Sequence, residues 1–327
     1  MTTMVSVILP IRNEEKYIAR CLDSIVGQDY SKDNLEILVV DGMSDDKTRS
    51  IIEGYAMAHP FIRMLDNPRK ITPCALNIGI KNARGNIIIR MDGHATYSVD
   101  YIQKCVEFLN KTGSDSVGGP MRAVGTDYIS NAIALVYNSP FGLGGGKFHD
   151  EKWEGEVDTT YLGCWPRRVF DKVGLFDERL VRNQDIEFNS RIRKSSGKIF
   201  LTPEIKSYYY CRPDLVSLWD QNFKNGIWGI KTLKITPGSL SLRHFVPVLF
   251  VLGLIMGWVV TPIWFAIIRS YMLCNAYFSL RIGMKSEFKY IFIIPVVFLI
   301  LHLSYGLGSL VGVFNAIRGD SLTAYAK

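Results

Sequence analysis

The stretch Ile87-Ile88-Ile89-Arg90-Met91-Asp92-Gly93-His94 decides how this chain is read. Apolar residues run into a carboxylate and, across one glycine, an imidazole. A buried parallel strand delivers ligands to its carboxyl end in this way, and that edge is where open α/β sheets bind them. Asp92 and His94 can turn toward one divalent cation, and such a cation would neutralise the diphosphate of a nucleotide. Alone, an acid at a strand end is equally a turn or a helix cap, so the neighbouring segments decide.

Upstream, Val5-Ser6-Val7-Ile8-Leu9-Pro10 and Glu36-Ile37-Leu38-Val39-Val40-Asp41 repeat the pattern, with a shorter strand from Phe61 to Leu65. Asn13-Glu14-Glu15 opens a helix whose apolar face is Ile18, Cys21, Leu22 and Ile25. Ser44 or Asp45 is expected to cap a second helix through Ile51, Ile52 and Tyr55, and Thr72-Pro73 starts a third that Gly85 ends. Strand alternating with helix four times predicts an α/β fold with a mostly parallel sheet and right-handed crossovers. Arg12-Asn13-Glu14, Asp41 with Asp45, and Asp92 with His94 then gather on one edge, lining a crevice suited to a nucleotide. No Gly-x-Gly-x-x-Gly follows the first strand and no Gly-Lys-Ser/Thr occurs, which supports neither a dinucleotide enzyme nor a P-loop ATPase.

The 327 residues are not uniform in composition. Up to about residue 244 the apolar segments are short and separated by charges. From Phe245 to Ile268 and from Tyr290 to Phe314 they are long enough to span a membrane. Counting only these two runs leaves Arg269, Arg281, Lys285 and Lys289 outside, against the positive-inside tendency. Splitting the first run near Pro262 and crossing again to about Leu280 gives three spans and restores it, with Arg269 inside the membrane, and is preferred. The N-terminus has no basic region and its apolar run stops at Pro10, so no signal peptide is expected and the first domain should stay cytoplasmic. Six scattered cysteines without a Cys-x-x-Cys pair read as reduced core residues. A net charge of +7 without a basic and aromatic stripe argues against nucleic acid as a partner. Between Lys206 and Arg243, six Lys/Arg stand against two Asp, a balance suited to anionic lipid head groups.

Further along, Gly142 to Gly146 runs into Lys147-Phe148-His149, a stretch without periodicity that fits either a loop ordering over substrate or a flexible excursion. A helix beginning near Arg182-Asn183-Gln184-Asp185 carries Asp185 and Glu187 in its first turn, where acids also serve simply as partners of the helix dipole. Leu215 to Leu233, interleaved with Lys224, Lys231 and Lys234, is amphipathic and basic; it fits a helix lying on a membrane surface or one packed on the preceding domain. The resulting domain expectation is 1–212 a cytoplasmic α/β domain, 213–244 interfacial, 245–317 with two or three membrane helices, and 318–327 a short tail.

Taken together, Val5 to Glu15, Val39-Val40-Asp41-Gly42-x-Ser44-x-Asp46-x-Thr48, the Asp92 strand tip, Gly174-x-Phe176-Asp177-Glu178 and Gln184-Asp185 resemble the family 2 glycosyltransferases of GT-A fold, over about residues 4 to 235. Arg90-x-Asp92-x-His94-Ala95, the Gln221 to Trp228 segment and His302-Leu303-Ser304-Tyr305-Gly306-x-Gly308 most resemble membrane-bound exopolysaccharide glycosyltransferases of the succinoglycan glucosyltransferase type. The resemblance implies a nucleotide-diphospho-sugar transferase sandwich followed by membrane helices. It implies Pro10, Asn13 and Glu14 at the nucleoside pocket, Asp41 on the base, Asp45 or Asp46 near the ribose or base, and Asp92 by the ribose and metal. His94 would be the direct metal ligand and Asp185 the general base, with Gln184, Gln221 and Trp228 on acceptor or donor loops. Two departures stand out: His94 replaces a second acid, which favours Mn²⁺ over Mg²⁺, and Gln184 replaces the Glu of a Glu-Asp pair, which leaves Asp185 easier to ionise.

The implied reaction is inverting, metal-dependent transfer from a nucleotide sugar, preferably a uridine diphosphate sugar, to a lipid-linked saccharide. The expected setting is the cytoplasmic face of the inner (plasma) membrane in exopolysaccharide or cell-surface glycan synthesis, with glycan-assembly proteins as further partners. One rival is a processive polysaccharide synthase, although Gln221-Asn222-Phe223-Lys224-Asn225 lacks the Gln-x-x-Arg-Trp of those enzymes. The other is a non-catalytic membrane scaffold that binds a nucleotide sugar.

Overall fold

Strand residues that alternate between two apolar cores build the main sheet. Val5, Val7 and Leu9 with Ile37 and Val39 face one core, and Ile8, Leu38 and Val40 face the other. Burial on both faces is why these strands read as continuous apolar runs. The computed structural model describes residues 3–318 and divides into two compact units. The first holds the chain up to Arg122 and Asp150–Tyr209; the second holds Ala123–His149 and the chain from Tyr210 on. The sequence boundary at residue 212 does not anticipate the 123–149 segment in the second unit, and the expected tail lies, beyond Arg318, outside the described residues.

In chain order come β1 (Val5–Ile11), α1 (Ile18–Val26), β2 (Leu35–Asp41), α2 (Thr48–Ala58), β3 (Ile62–Asp66), α3 (Thr72–Asn82), β4 (Ile87–Arg90), β5 (Ala95–Tyr97), α4 (Tyr101–Thr112), β6 (Ser116–Gly119) and β7 (Met121–Val124). There follow α5 (Tyr128–Tyr137), α6 (Pro140–Leu143), β8 (Gly155–Glu156), β9 (Tyr161–Pro166), α7 (Arg168–Val173), α8 (Gln184–Lys194), β10 (Ile199–Leu201) and β11 (Ser207–Tyr210). The main sheet runs β3-β2-β1-β4-β9-β6-β10-β8. β1 pairs in parallel with both β2 and β4, so the strand order reverses there and a crevice opens beyond the strand ends. β9 lies antiparallel between β4 and β6.

The second helix does not start at Ser44 or Asp45. The Asp41 carboxylate takes both the amide and the hydroxyl of Ser44, Met43 turns into the left-handed region, and α2 begins only at Thr48, whose amide donates to Asp46. Gly54 stands exposed in the middle of α2 with nothing within 4 Å of where a Cβ would lie. Gly54→Ala is therefore expected to raise stability by about 0.5–1 kcal/mol, read as a higher melting temperature of the full chain.

The second unit ends in α9 (Leu215–Ile235), α10 (Val246–Met256), α11 (Thr261–Lys285) and α12 (Ile294–Arg318). Leu242–Val259, Thr261–Lys285 and Ile294–Arg318 are three stretches long and apolar enough to cross a membrane. The amphipathic segment is the helix α9, packed on α12: a Cβ at Gly226 would lie 2.2 Å from the Tyr305 carbonyl and one at Gly308 2.1 Å from that of Phe223. Such close backbones are how small residues join apolar helices. The 123–149 segment is pinned to the same bundle. Tyr128 stacks on Tyr290 and donates to the Lys289 carbonyl at 2.7 Å, and His302 Nε2 donates to the Phe141 carbonyl at 2.8 Å.

Candidate active site

At the strand-order reversal, a cavity of about 190 Å³ is lined by Pro10, Arg12 and Glu14 after β1, Gly42 after β2, Asn67 and Lys70 after β3, and Arg90, Asp92 and His94 at the end of β4. Four expected residues, Pro10, Glu14, Asp92 and His94, thus share one wall. Asn13 and Asp45 are not on it. They bond to each other across the loop rim, the Asn13 amide donating to Asp45 at 2.8 Å and the Asp45 backbone returning to Asn13 at 3.1 Å. Asp41 is fully buried beneath Gly42. Its carboxylate accepts from Ser44 and, at 2.6 Å, from Arg49, which also holds Asp66 at 2.8 Å. With three of roughly four acceptor positions used, Asp41 retains room for about one further donor.

The turn that presents Asp92 and His94 is set by its surroundings. The Asp92 amide donates to the Tyr97 hydroxyl at 2.6 Å, and that hydroxyl donates back to the Asp92 carbonyl at 3.1 Å. Gly93 passes so close to Ile11 that a Cβ would lie 2.3 Å from its Cδ1. His94 Nδ1 is 3.3 Å from Glu14 Oε1, and its ring meets Tyr209 edge-on with centroids 5.4 Å apart. Arg90 is buried and grips Asp92 with both arms of its fork, Nε to Oδ1 at 2.9 Å and Nη2 to Oδ2 at 3.2 Å. Burial opposes the Arg90 charge, but the Asp92 and Asp185 carboxylates outweigh it and hold the guanidinium's pKa above its usual value. Arg90 therefore holds the strand-end acid, and the charge of Asp185 on α8 adds to the field that keeps it cationic.

Asp185 reaches this position because α8 is clamped from below. Phe188 stacks on Phe176 with centroids 4.4 Å apart and meets Trp165 edge-on. The Arg191 guanidinium lies over Phe188 and donates to the Val173 and Leu175 carbonyls. Asn77 holds the Phe176 backbone in both directions at 2.9 Å and donates to Glu178, which gives the Gly174-to-Glu178 motif its structural part. At the start of α8, Asn183 takes a left-handed conformation with φ 58°. Asp185 is half-buried and accepts from the Ile186 amide, whereas Glu187 is consumed by Arg191. Gln184 is buried with its side-chain carbonyl unpartnered among the described residues. Gln221 and Trp228, expected on loops, stand on the helix α9: Gln221 accepts from Arg212 at 3.0 Å, and Trp228 is buried with the Lys231 ammonium over its ring.

Residues 6–173 match the model of the family described as Glycosyl transferase family 2. The chain belongs to that family. It is 28% identical over 312 residues to the dolichyl N-acetyl-alpha-D-glucosaminyl phosphate 3-beta-D-2,3-diacetamido-2,3-dideoxy-beta-D-glucuronosyltransferase of Methanococcus voltae, covering 92% of this chain and 95% of that protein. It is 30% identical to the succinoglycan biosynthesis protein ExoA of Rhizobium meliloti (strain 1021), over 74% of this chain and 73% of that one. The mannosyltransferase PcManGT from Pyrobaculum calidifontis, solved with GDP-Man and Mn²⁺, shares the fold, with a TM-score of 0.60 over 93% of this chain and 87% of that one at 17% identity.

For this glycosyltransferase the donor set can be set against what the expected metal would need. Among the described residues no group of three or more His, Cys, Asp or Glu forms a metal cluster. Asp92 and His94 on one wall are two donors, too few for an all-protein cage. They suit a divalent cation that takes its remaining ligands from a diphosphate and water, the usual arrangement at nucleotide sites. Reading the glycosyltransferase sequence alone missed Asn67, Lys70 and Tyr161. Asn67 is buried with its side-chain carbonyl unpartnered among the described residues, and Lys70 stands at φ 60° before α3; both follow β3 and could have been found by applying the strand-end rule to it. Tyr161 has a buried hydroxyl without a partner among the described residues; burial first, then the Asp92 charge, raises its pKa and keeps it protonated.

Proposed function

We propose that this glycosyltransferase transfers one sugar, with inversion, from a nucleotide diphosphate donor to a lipid-linked saccharide during exopolysaccharide or cell-surface glycan synthesis. A uridine diphosphate sugar is the first donor to test, and the first unit is read as cytoplasmic at the inner membrane. The observation that carries the reading is the cavity at the strand-order reversal, where Asp92, gripped by Arg90, shares the lining with Glu14 and His94. The relatives support it: the name of one states a dolichyl-linked acceptor and a β product, and one neighbour was solved with GDP-Man and Mn²⁺.

In the proposed step the acceptor hydroxyl gives its proton to the Asp185 carboxylate as its oxygen bonds the anomeric carbon and the carbon–oxygen bond to the diphosphate breaks. Attack opposite the departing diphosphate inverts that carbon. Arg12 and Lys70 on the cavity wall bring positive charge to the leaving group, and Arg90 fixes the Asp92 carboxylate. Bound by Asp92 and His94, Mn²⁺ or Mg²⁺ would neutralise diphosphate charge.

The test is a panel of nucleotide sugars with purified, detergent-solubilised protein, Mn²⁺ or Mg²⁺, and polyprenyl-linked acceptor, following diphosphate release and product length. Metal-dependent release from one donor, adding one sugar with inverted configuration, is expected. Long products would point to a processive synthase, and nucleotide binding without transfer across the panel to a scaffold. His94→Gln is expected to raise the Mn²⁺ concentration needed for half-maximal nucleotide binding at least about tenfold, measured by calorimetry.

A further inference from the structure

The glycine run that joins α6 to Phe148 is wrapped around one cation at the entrance of the first apolar span. Gly144 and Gly145 are exposed and left-handed, with φ 77° and 61°. A Cβ on Gly144 would lie 3.0 Å from Arg243 Cβ, and one on Gly146 would lie 2.9 Å from Arg243 Nη1. The Arg243 guanidinium sits over the Phe148 ring, 5.4 Å from its centroid. Arg243 is half-buried, the neighbouring Lys147 is exposed, and the apolar residues of α10 begin at Val246. The arginine stem and fork are thus held in place by bare backbone and an aromatic face where a chain would enter the apolar layer, and Lys147, next to Phe148 in the chain, puts a second cation on the same loop. A guanidinium fixed in this way suits the oxygens of a phosphate ester. Exposed glycine backbone lets a ligand approach closely.

We propose that Arg243, Lys147 and the Gly144–Gly145 backbone bind the phosphate of the lipid-linked acceptor, with its polyprenyl tail continuing along the apolar helices. The inference rests on the proposed function, since it names where that acceptor's phosphate is held. The same chemistry could come from an anionic phospholipid head group, and the experiment separates the two.

Binding of farnesyl phosphate and of farnesol to the detergent-solubilised full chain is measured by thermophoresis, with and without phosphatidylglycerol bicelles. Nucleotide binding by the same samples is measured separately. Wild type should bind farnesyl phosphate at least tenfold more tightly than farnesol, with little competition from phosphatidylglycerol. Arg243→Ala and Lys147→Glu should each weaken farnesyl phosphate at least tenfold and leave nucleotide binding unchanged, with Arg243→Lys intermediate. Lys147 is exposed, so its variant tests the site even if loss of Arg243 disturbs the loop. Equal binding of farnesol, unchanged affinity in both Arg243→Ala and Lys147→Glu, or full competition by phosphatidylglycerol would each overturn the proposal. Loss of nucleotide binding in wild type would instead strike the proposed function and leave the phosphate result standing by itself.

Discussion

Asp185→Asn is expected to lower turnover about a thousandfold while the nucleotide dissociation constant stays within about twofold of wild type. A positioned general base contributes roughly 10²–10⁴ in rate, and an amide of the same shape cannot take the proton. A thousandfold corresponds to about 4 kcal/mol of barrier. The change should be confined to chemistry because Asp185 does not line the cavity, whereas its helix is held by Phe188, Phe176 and Arg191, none of which is altered. Single-turnover rates with saturating donor and acceptor, alongside calorimetric nucleotide titration, separate the two effects. Turnover within about tenfold of wild type would remove Asp185 from the proposed role. A parallel loss of nucleotide binding would mean that the Asp185 charge helps to bind the donor as well as to take the proton.

Gly308→Ala should cost the protein its folded second unit. The added methyl would fall 2.1 Å from the Phe223 carbonyl oxygen and 2.9 Å from its carbon, both main-chain atoms of α9, so no side-chain rotation relieves the overlap. Overpacking a side-chain core costs about 1–3 kcal/mol; forcing two backbones apart should cost at least about 3 kcal/mol. The expected outcome is a marked fall in melting temperature and loss of the monodisperse peak in detergent, against the small gain expected for Gly54→Ala. Unchanged melting would mean that α9 and α12 are less closely apposed than described.

The first three helices and the strands of the parallel half were legible because their signals are local. β2 and β4 are apolar runs that end in Asp41 and Arg90, β1 is one that runs into Arg12, and Pro73 sits in the first turn of α3. The edge that collects Pro10, Glu14, Asp92 and His94 follows from strand order alone. Less local features were not legible. β9 looks like any short strand, and only its partners make it antiparallel. Asp41 resembles an exposed strand-end acid, yet Arg49 and Ser44 draw it wholly inside. β3 is short and only partly buried, so it lacks the continuous apolar run that marks β1, β2 and β4 and points less clearly to Asn67 and Lys70 just beyond it. For Gln221 and Trp228 the amphipathic pattern gives a helix but not what it packs on, because α12, the partner of α9, lies some eighty residues further along.

The hydrogen bond from His302 to the Phe141 carbonyl spans 161 residues of sequence. A ribosome adding about 5–20 residues per second needs roughly 8–30 s to bridge that gap. During this interval α5, whose Ala132, Ile133, Ala134 and Val136 are buried in the finished protein, has emerged without the helix to which its segment is fastened. The segment's own cap, in which Asp127 and Ser130 bond each other reciprocally, needs nothing from later in the chain and can hold the helix meanwhile. Biogenesis is thus sequenced: the excursion between β7 and β8 waits for α12, and completion of the second unit is timed by synthesis of the last apolar helix.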